Sequence, residues 1–379
     1  MHKHRTIFQK LKAIFRPREM AITLVAFLLI GLLRYITFHI NAFNPIAQAL
    51  SEFSTTDLFY RSMVESADTC DAIVIVDVTQ LHDRASIARA LEEVDSLGPS
   101  AIDVDIIFER PMDRTGDSIL QEVATRVSEN AVFSFRMMDP DPQTRQFTRQ
   151  SHSFFAEKLN LREGFVNVDR RMTRDIPLNH EMDGKTYRSA IAQMMDVLGM
   201  EYDQQEERHI DYSPTIFRVI PYDAIQENAE HINGHIVMFG GAYESVDMLY
   251  TPLGAKHGIE VLSYAMNTMR GLGSQTECKG TIYWLLTILF SFIGVCIIVA
   301  YKDWVINMGD NFVGDVLRTI FITSIVIFLL MAIYMSIAFY LFVTRHINFD
   351  LTPTLSVMAL TTTARDIVCI ANKYLHLHL

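Results

Sequence analysis

Four apolar stretches, each long enough to cross a bilayer, constrain this chain more than any other feature. Ala21–Ile40, Ile282–Tyr301, Ile320–Val343 and Phe349–Ile370 each supply 20 residues or more. A helix needs roughly 20 residues to span the hydrocarbon core. Between the first and second lies one polar segment, Asn41–Gly280, of 240 residues. The reading is therefore one anchor (21–40), one soluble body (41–280) and three closing spans (281–301, 320–343 and 349–371). The last span is the weakest, because Pro353, Thr361–Thr363 and the pair Arg365–Asp366 interrupt it.

Charge sets the expected orientation. The net charge is −11, but Met1–Met20 carries +5 and Ala21–Ile40 carries +1. Thr281–Leu379 balances five basic against five acidic residues, which leaves −17 on Asn41–Gly280. The basic arm 1–20 marks a cytoplasmic N-terminus by the positive-inside rule. It precedes a long apolar run without a small-residue cleavage site, so a retained anchor is expected rather than a signal peptide. The body then faces outward, the loop 302–319 and the tail 372–379 inward. A multi-pass protein of a bacterial inner membrane, its body in the periplasm and both termini cytoplasmic, is the expected localisation. Arg34 interrupts the anchor and would snorkel to the outer face or pair with another helix. So acidic a body excludes nucleic acid as a partner, since phosphates attract Lys and Arg.

The body reads as α/β. Ala72–Asp77 is a short β-branched run ending in an acid, a buried strand. Ile87, Leu91, Val94 and Leu97 recur at helical spacing within His82–Leu97. Gly98–Pro99 stops that helix, and Ala101–Phe108 is a second strand. Strand, helix, strand with short links is a right-handed parallel crossover. Further on, Ser118–Ser128 reads as a helix, Ala131–Phe135 as a strand, and Gly164–Val168 with Thr173–Pro177 as a hairpin. Pro140 and Pro142 bar a central strand from Met137–Gln150. Tyr187–Leu198 is helical, Thr215–Ile220 and His235–Phe239 are strands, Pro221–Asn228 is a short helix, Ala242–Gly254 a loop and Gly258–Met269 a helix. Alternation of this kind predicts a mainly parallel sheet with flanking helices.

Ligands of open α/β sheets bind beyond the carboxyl ends of the strands. Asp77, Asp105, Gly240, Gly241 and Asp247 would gather on that rim and form the candidate ligand site. Carboxylates there would fix a polar ligand or hold a divalent cation. The structural alternative is that an acid after a strand caps the next helix, and that Gly240–Gly241 serves a tight turn. Asp103 shares a strand face with Asp105, and two like charges that close would raise one pKa. Cys70 and Cys278 flank the body in an oxidising compartment, either joined in a disulfide or left as two thiols. Cys296 and Cys369 lie within spans as apolar filler.

Enzymatic patterns are thin. The chain has no Gly-x-Ser-x-Gly, no His-Glu-x-x-His, no Cys-x-x-Cys and no Lys–Ser/Thr phosphate loop after Gly240–Gly241. No catalytic residue, metal site or cofactor is expected. The spans carry few ionisable residues, which makes transport the least expected role.

Certain residues together resemble the CHASE sensory domains of type two (cyclase/histidine-kinase-associated sensory extracellular). They are Asp57–Leu58–Phe59, Ile73–Asp77, the series Pro99, Ala101–Ile102, Asp105 and Phe108, and then Gly164–Phe165 and Arg174. Asn233–Gly240, Asp247, Thr251–Pro252 and Gly258–Ile259–Glu260 complete the pattern, and the likeness runs from Asn41 to the last span. Leu262 stands where the family often has a His. The resemblance implies an outward-facing sensor, often joined to a cytoplasmic output domain. Only nine residues follow Ile370, so the output is expected on a separate partner. The expected partners are membrane lipid, a separate membrane or cytoplasmic protein, and a second copy of the chain. The alternative is a structural or assembly subunit of a cell-envelope complex, its body a protein-docking surface.

Overall fold

The computed structural model describes residues 16–39, 54–140, 147–168, 172–202, 207–243, 247–271, 276–278, 280–306, 323–345 and 347–375. Most of the basic arm, most of the loop 302–319 and the Arg34 side chain lie outside the described residues. The chain divides into two compact units, 60–274 and a second made of 1–59 with 275–379.

In chain order the elements are α1 (Pro17–His39), α2 (Thr55–Ser62), β1 (Asp68–Asp77), α3 (Arg84–Ser96), β2 (Ala101–Asp105), α4 (Arg114–Val127), β3 (Ala131–Pro140), β4 (Phe147–Ser151), β5 (Glu163–Phe165), β6 (Asp175–Pro177), β7 (Asn179–Met182), β8 (Lys185–Arg188) and α5 (Ala190–Val197). They continue with β9 (Glu207–His209), β10 (Thr215–Pro221), β11 (Ile236–Gly240), β12 (Met248–Thr251), β13 (Gly254–His257), α6 (Gly258–Met269), β14 (Thr276–Glu277), α7 (Gly280–Ile306), α8 (Thr323–Arg345), β15 (Ile347–Asn348) and α9 (Thr352–Leu375).

The α/β unit is built on a seven-stranded sheet in the order β10-β1-β11-β2-β3-β4, with β5 also paired to β3. Every pairing among β10, β1, β11, β2, β3 and β5 is parallel, and only β4 runs antiparallel. One sheet face presents Val74, Val76, Ile102, Val104, Val237 and Phe239 to Leu91 and Val94 of α3 and to Leu120 and Val123 of α4. The other face is covered by α5 and α6. Asp83 caps α3 through Ser86 N at 2.8 Å, and Asp113 caps α4 through Gly116 N at 2.6 Å. Each satisfies a helix-end donor that has no partner within the helix.

Long-range pairing corrects several local expectations. The crossover β1–α3–β2 is present, but β11 inserts between its two strands. β3 runs on to Pro140 and pairs with β4; the proline sits at the strand's end, where its missing N–H interrupts no central ladder. The segments 164–168 and 173–177 do not form a hairpin with each other: β5 joins β3, while β6 pairs antiparallel with β9. The expected loop 242–254 contains β12, which turns at its end into β13. Pro221–Asn228 is two 3-10 turns rather than one helix. The β7–β8 hairpin turns at Asp183 and Gly184, with φ of 52° and 72°. Two successive positive φ angles are what a type I′ turn requires.

In the other unit, α7, α8 and α9 are each long and apolar enough to cross a membrane. α1, 23 residues long, packs Ile22 and Ala26 against Val295 and Val299 of α7 and Val357, Ala364 and Val368 of α9. α7 and α9 approach closely at Gly294, where an added Cβ would fall 2.5 Å from Met358 Cε. At one end of this unit Thr56 donates to Asn348 at 2.8 Å, and Asp350 caps α9 through Thr352 N at 3.0 Å.

The opposite end holds a charge network. Asp303 of α7 accepts from Arg18 of α1 at 2.7 Å and from Arg365 of α9 at 2.5 Å. Arg365 also meets Asp366 at 3.1 Å, and Lys302 meets Asp366 at 3.1 Å. Arg365 and Asp366 look in sequence like flaws in a span. In the structure they join three helices.

Candidate functional site

The sheet register brings three of the five candidate residues into one row. Asp77 is the partner of Gly240, and Gly240 the partner of Asp105, at the carboxyl ends of β1, β11 and β2. Strand alternation puts them opposite Val76 and Val104, on the face that α6 covers. Gly240 is small for a reason: an added Cβ would lie 3.0 Å from Ile259 of α6 and 3.2 Å from Asp105 Cβ.

Within that row the acids do different work. Asp77 is buried, and its Oδ1 accepts from Thr79 N at 3.0 Å, Thr79 Oγ1 at 2.5 Å and Ala242 N at 2.9 Å. It does not cap α3, which Asp83 does. Instead it ties the end of β1 to the loop that leaves β11. Gly241 lies in that loop, ahead of the bond at Ala242.

Asp105 and Asp247 meet elsewhere. Both line a cavity of about 70 Å³ with Arg136, Val166, Asn167, Val168, Leu249, Gly258, Val261 and Leu262. The carboxylate of Asp247 lies against the first residue of α6: a Cβ at Gly258 would sit 2.0 Å from Asp247 Oδ2. The backbone reinforces the contact, Gly258 N donating to Asp247 O at 2.9 Å. An anion at this position gains from the positive end of the helix dipole. Asn167 closes the wall as a fixed group, since its side chain donates to Met137 O and accepts from Met137 N, both at 2.8 Å.

Two charged residues need separate account. Asp103 is fully buried, and neither of its oxygens has a hydrogen-bond partner. Burial, and after it the nearby charge of Asp105, push its pKa well above the usual carboxylate range. Burial, more than the Asp103–Asp105 pairing that the sequence suggests, is the cause. Arg136 is the residue that sequence reasoning missed. It directly follows the apolar run Ala131–Phe135, the same strand-end position that singled out Asp77. Among the described residues no carboxylate pairs with it.

The small cavity adjoins a larger cleft of about 720 Å³, with Arg136, Asn167 and Val168 lining both. Clefts of 300–1,000 Å³ are typical for small-molecule ligands. Among the described residues no three His, Cys, Asp or Glu side chains stand where they would jointly hold a metal ion. Cys70 and Cys278 lie in different units, each as a free thiol.

The match to the CHASE2 domain family covers residues 23–300, well over half of the chain. The chain belongs to the CHASE2 family. It therefore carries a sensory domain of extracellular type, accompanied by three C-terminal helices able to cross a membrane. The CHASE2 match begins within α1 and ends within α7, so it takes in the N-terminal helix and leaves α8 and α9 outside. The resemblance read from the sequence had placed those limits at Asn41 and the last span. No curated protein and no solved structure matches the chain.

Proposed function

We propose that this CHASE2 chain is a membrane-anchored sensor subunit. Its outer domain receives a small ligand at the carboxyl-end rim, and its helices pass the change to a separate partner. One observation carries the reading: Asp105, Asp247 and the exposed Arg136 line a polar pocket that continues into a ligand-sized cleft. In this reading Asp77 and Gly240 hold the rim together and do not touch the ligand. No catalytic step is assigned to the chain, and no cofactor.

The arrangement of the membrane unit supports four crossings, with α1 as the first. The start of α1, the end of α7 and the second half of α9 share the charge network at one end, as they would with both termini on the cytoplasmic side. The basic arm places that end inside by the positive-inside rule, and the acidic domain then lies in the periplasm of a bacterial inner membrane. Reporter fusions after Leu379 test this, and a C-terminus found outside would remove a crossing.

The sensor reading is tested by gentle purification of the full chain from its native membrane, followed by native mass spectrometry. A bound small molecule is the expected result. A membrane protein that co-purifies while the pocket stays empty would replace the sensor with an assembly subunit of an envelope complex.

A further inference from the structure

The rim pocket has an unusual charge arrangement for its size. Arg136 and Asp247 carry opposite charges and line the same cavity of about 70 Å³, yet they do not pair with each other. Among the described residues no carboxylate neutralises Arg136 and no donor bonds to the Asp247 carboxylate. Opposite charges around a cavity, held apart rather than joined, are the complement of a ligand that carries both charges itself. Asp105 adds a second carboxylate on the same wall.

Resting on the sensor reading above, we infer that the ligand is a free α-amino acid with a large apolar side chain. Its ammonium has three donors and no acceptor, which suits the carboxylate of Asp247. Its carboxylate matches the planar fork of a guanidinium, here Arg136. The small cavity holds this polar head. Arg136, Asn167 and Val168 belong to both spaces, so a side chain leaving the head enters the larger cleft. That cleft offers thioethers and rings, Met138, Phe147 and Met172 among them, with Asp139, Asp175, His180 and Glu207 as its polar lining; the thioethers adapt to varied apolar groups.

Asn167 makes the head-group site selective for shape. One N–H and the oxygen of its amide bond to the backbone of Met137, which fixes it as a wall between head and side chain. Gly258 has a matching role on the opposite side, because any larger residue would displace Asp247.

The test uses the full chain in detergent and reads thermal shift and calorimetric affinity. The probes are the twenty common L-amino acids at millimolar concentration, with phenethylamine and 3-phenylpropionate as analogues that lack one charge. L-methionine, L-leucine or L-phenylalanine should raise the melting temperature, and the two analogues should bind at least tenfold more weakly. Arg136→Gln, which removes the guanidinium, and the near-isosteric Asp247→Asn, both checked for folding by circular dichroism, should each weaken the amino acid at least tenfold. Glycine should bind more weakly than the apolar amino acids.

If phenethylamine binds as tightly as L-phenylalanine, Arg136 has no part in recognition and the zwitterion assignment falls. If no amino acid binds, it falls as well. Native mass spectrometry then separates the two levels. A different small molecule in the pocket leaves the sensor reading standing, and an empty pocket removes both.

Discussion

The carboxylate of Asp247 occupies the space that a side chain on Gly258 would need, with Oδ2 only 2.0 Å from the position of a Cβ there. This contact joins the loop after β11 to the start of α6 and aims one wall of the pocket. Gly258→Ala should therefore move the carboxylate. Overpacking of this kind costs about 1–3 kcal/mol, readable as a lower denaturation midpoint. Asp247→Ala in the same background should recover much of the loss. If Gly258→Ala alone is neutral, the close approach is not rigid.

Asp77 is expected to matter for folding rather than recognition. Asp77→Ala removes an acceptor from three donors, one of them the buried amide of Ala242. Hydrogen bonds to charged groups and stranded buried donors make a loss of about 2–4 kcal/mol reasonable. Asp77→Asn keeps an oxygen in place and should lose less than half of that. Urea titrations of the two variants side by side decide the matter, and equal losses would show that the charge, not the acceptor geometry, is required.

Asp103 gives the domain a pH dependence of definite sign. Its folded-state pKa is raised above the unfolded value, so between the two the folded state binds more protons. The contribution is fully present below the unfolded carboxylate pKa of about 3.9 and is lost as pH rises through the folded-state pKa. The slope from one such group cannot exceed about 1.4 kcal/mol per pH unit. Asp103→Asn should flatten this part of the stability–pH curve and gain stability at the alkaline end. Parallel curves for the two proteins would place the dependence elsewhere.

The charge network of the membrane unit predicts a strong asymmetry between its members. Asp303→Asn leaves Arg18 and Arg365 without the carboxylate they share. Breaking a buried ion pair costs several kcal/mol, but Arg18 and Asp303 are each about 30% exposed. A loss of about 1–3 kcal/mol is therefore expected, measured by thermal unfolding in detergent. Arg18→Gln should cost less than Arg365→Gln, whose side chain is only 13% exposed. The reverse order would mean that the network is dominated by its outer pair.

Much of this protein was legible in the sequence because it is written in local periodicity. A run of 20 apolar residues must satisfy its own backbone in lipid, so it must be helical wherever it lies. β-branched runs and three-to-four spacings likewise placed β1, α3, β11 and α6, and Gly258–Met269 agrees with α6 at both ends. An acid at the end of an apolar run marks Asp77 and Asp105 in the sequence, and both stand at strand ends in the structure. Tertiary structure alone decided which strands are neighbours. β11 lies between β1 and β2 although more than 130 residues separate it from β2, and no local propensity encodes a partner so distant. The same holds for the pocket. Arg136, Asn167 and Asp247 belong to three separate stretches whose meeting depends on sheet order, so they line one cavity only once the chain has folded.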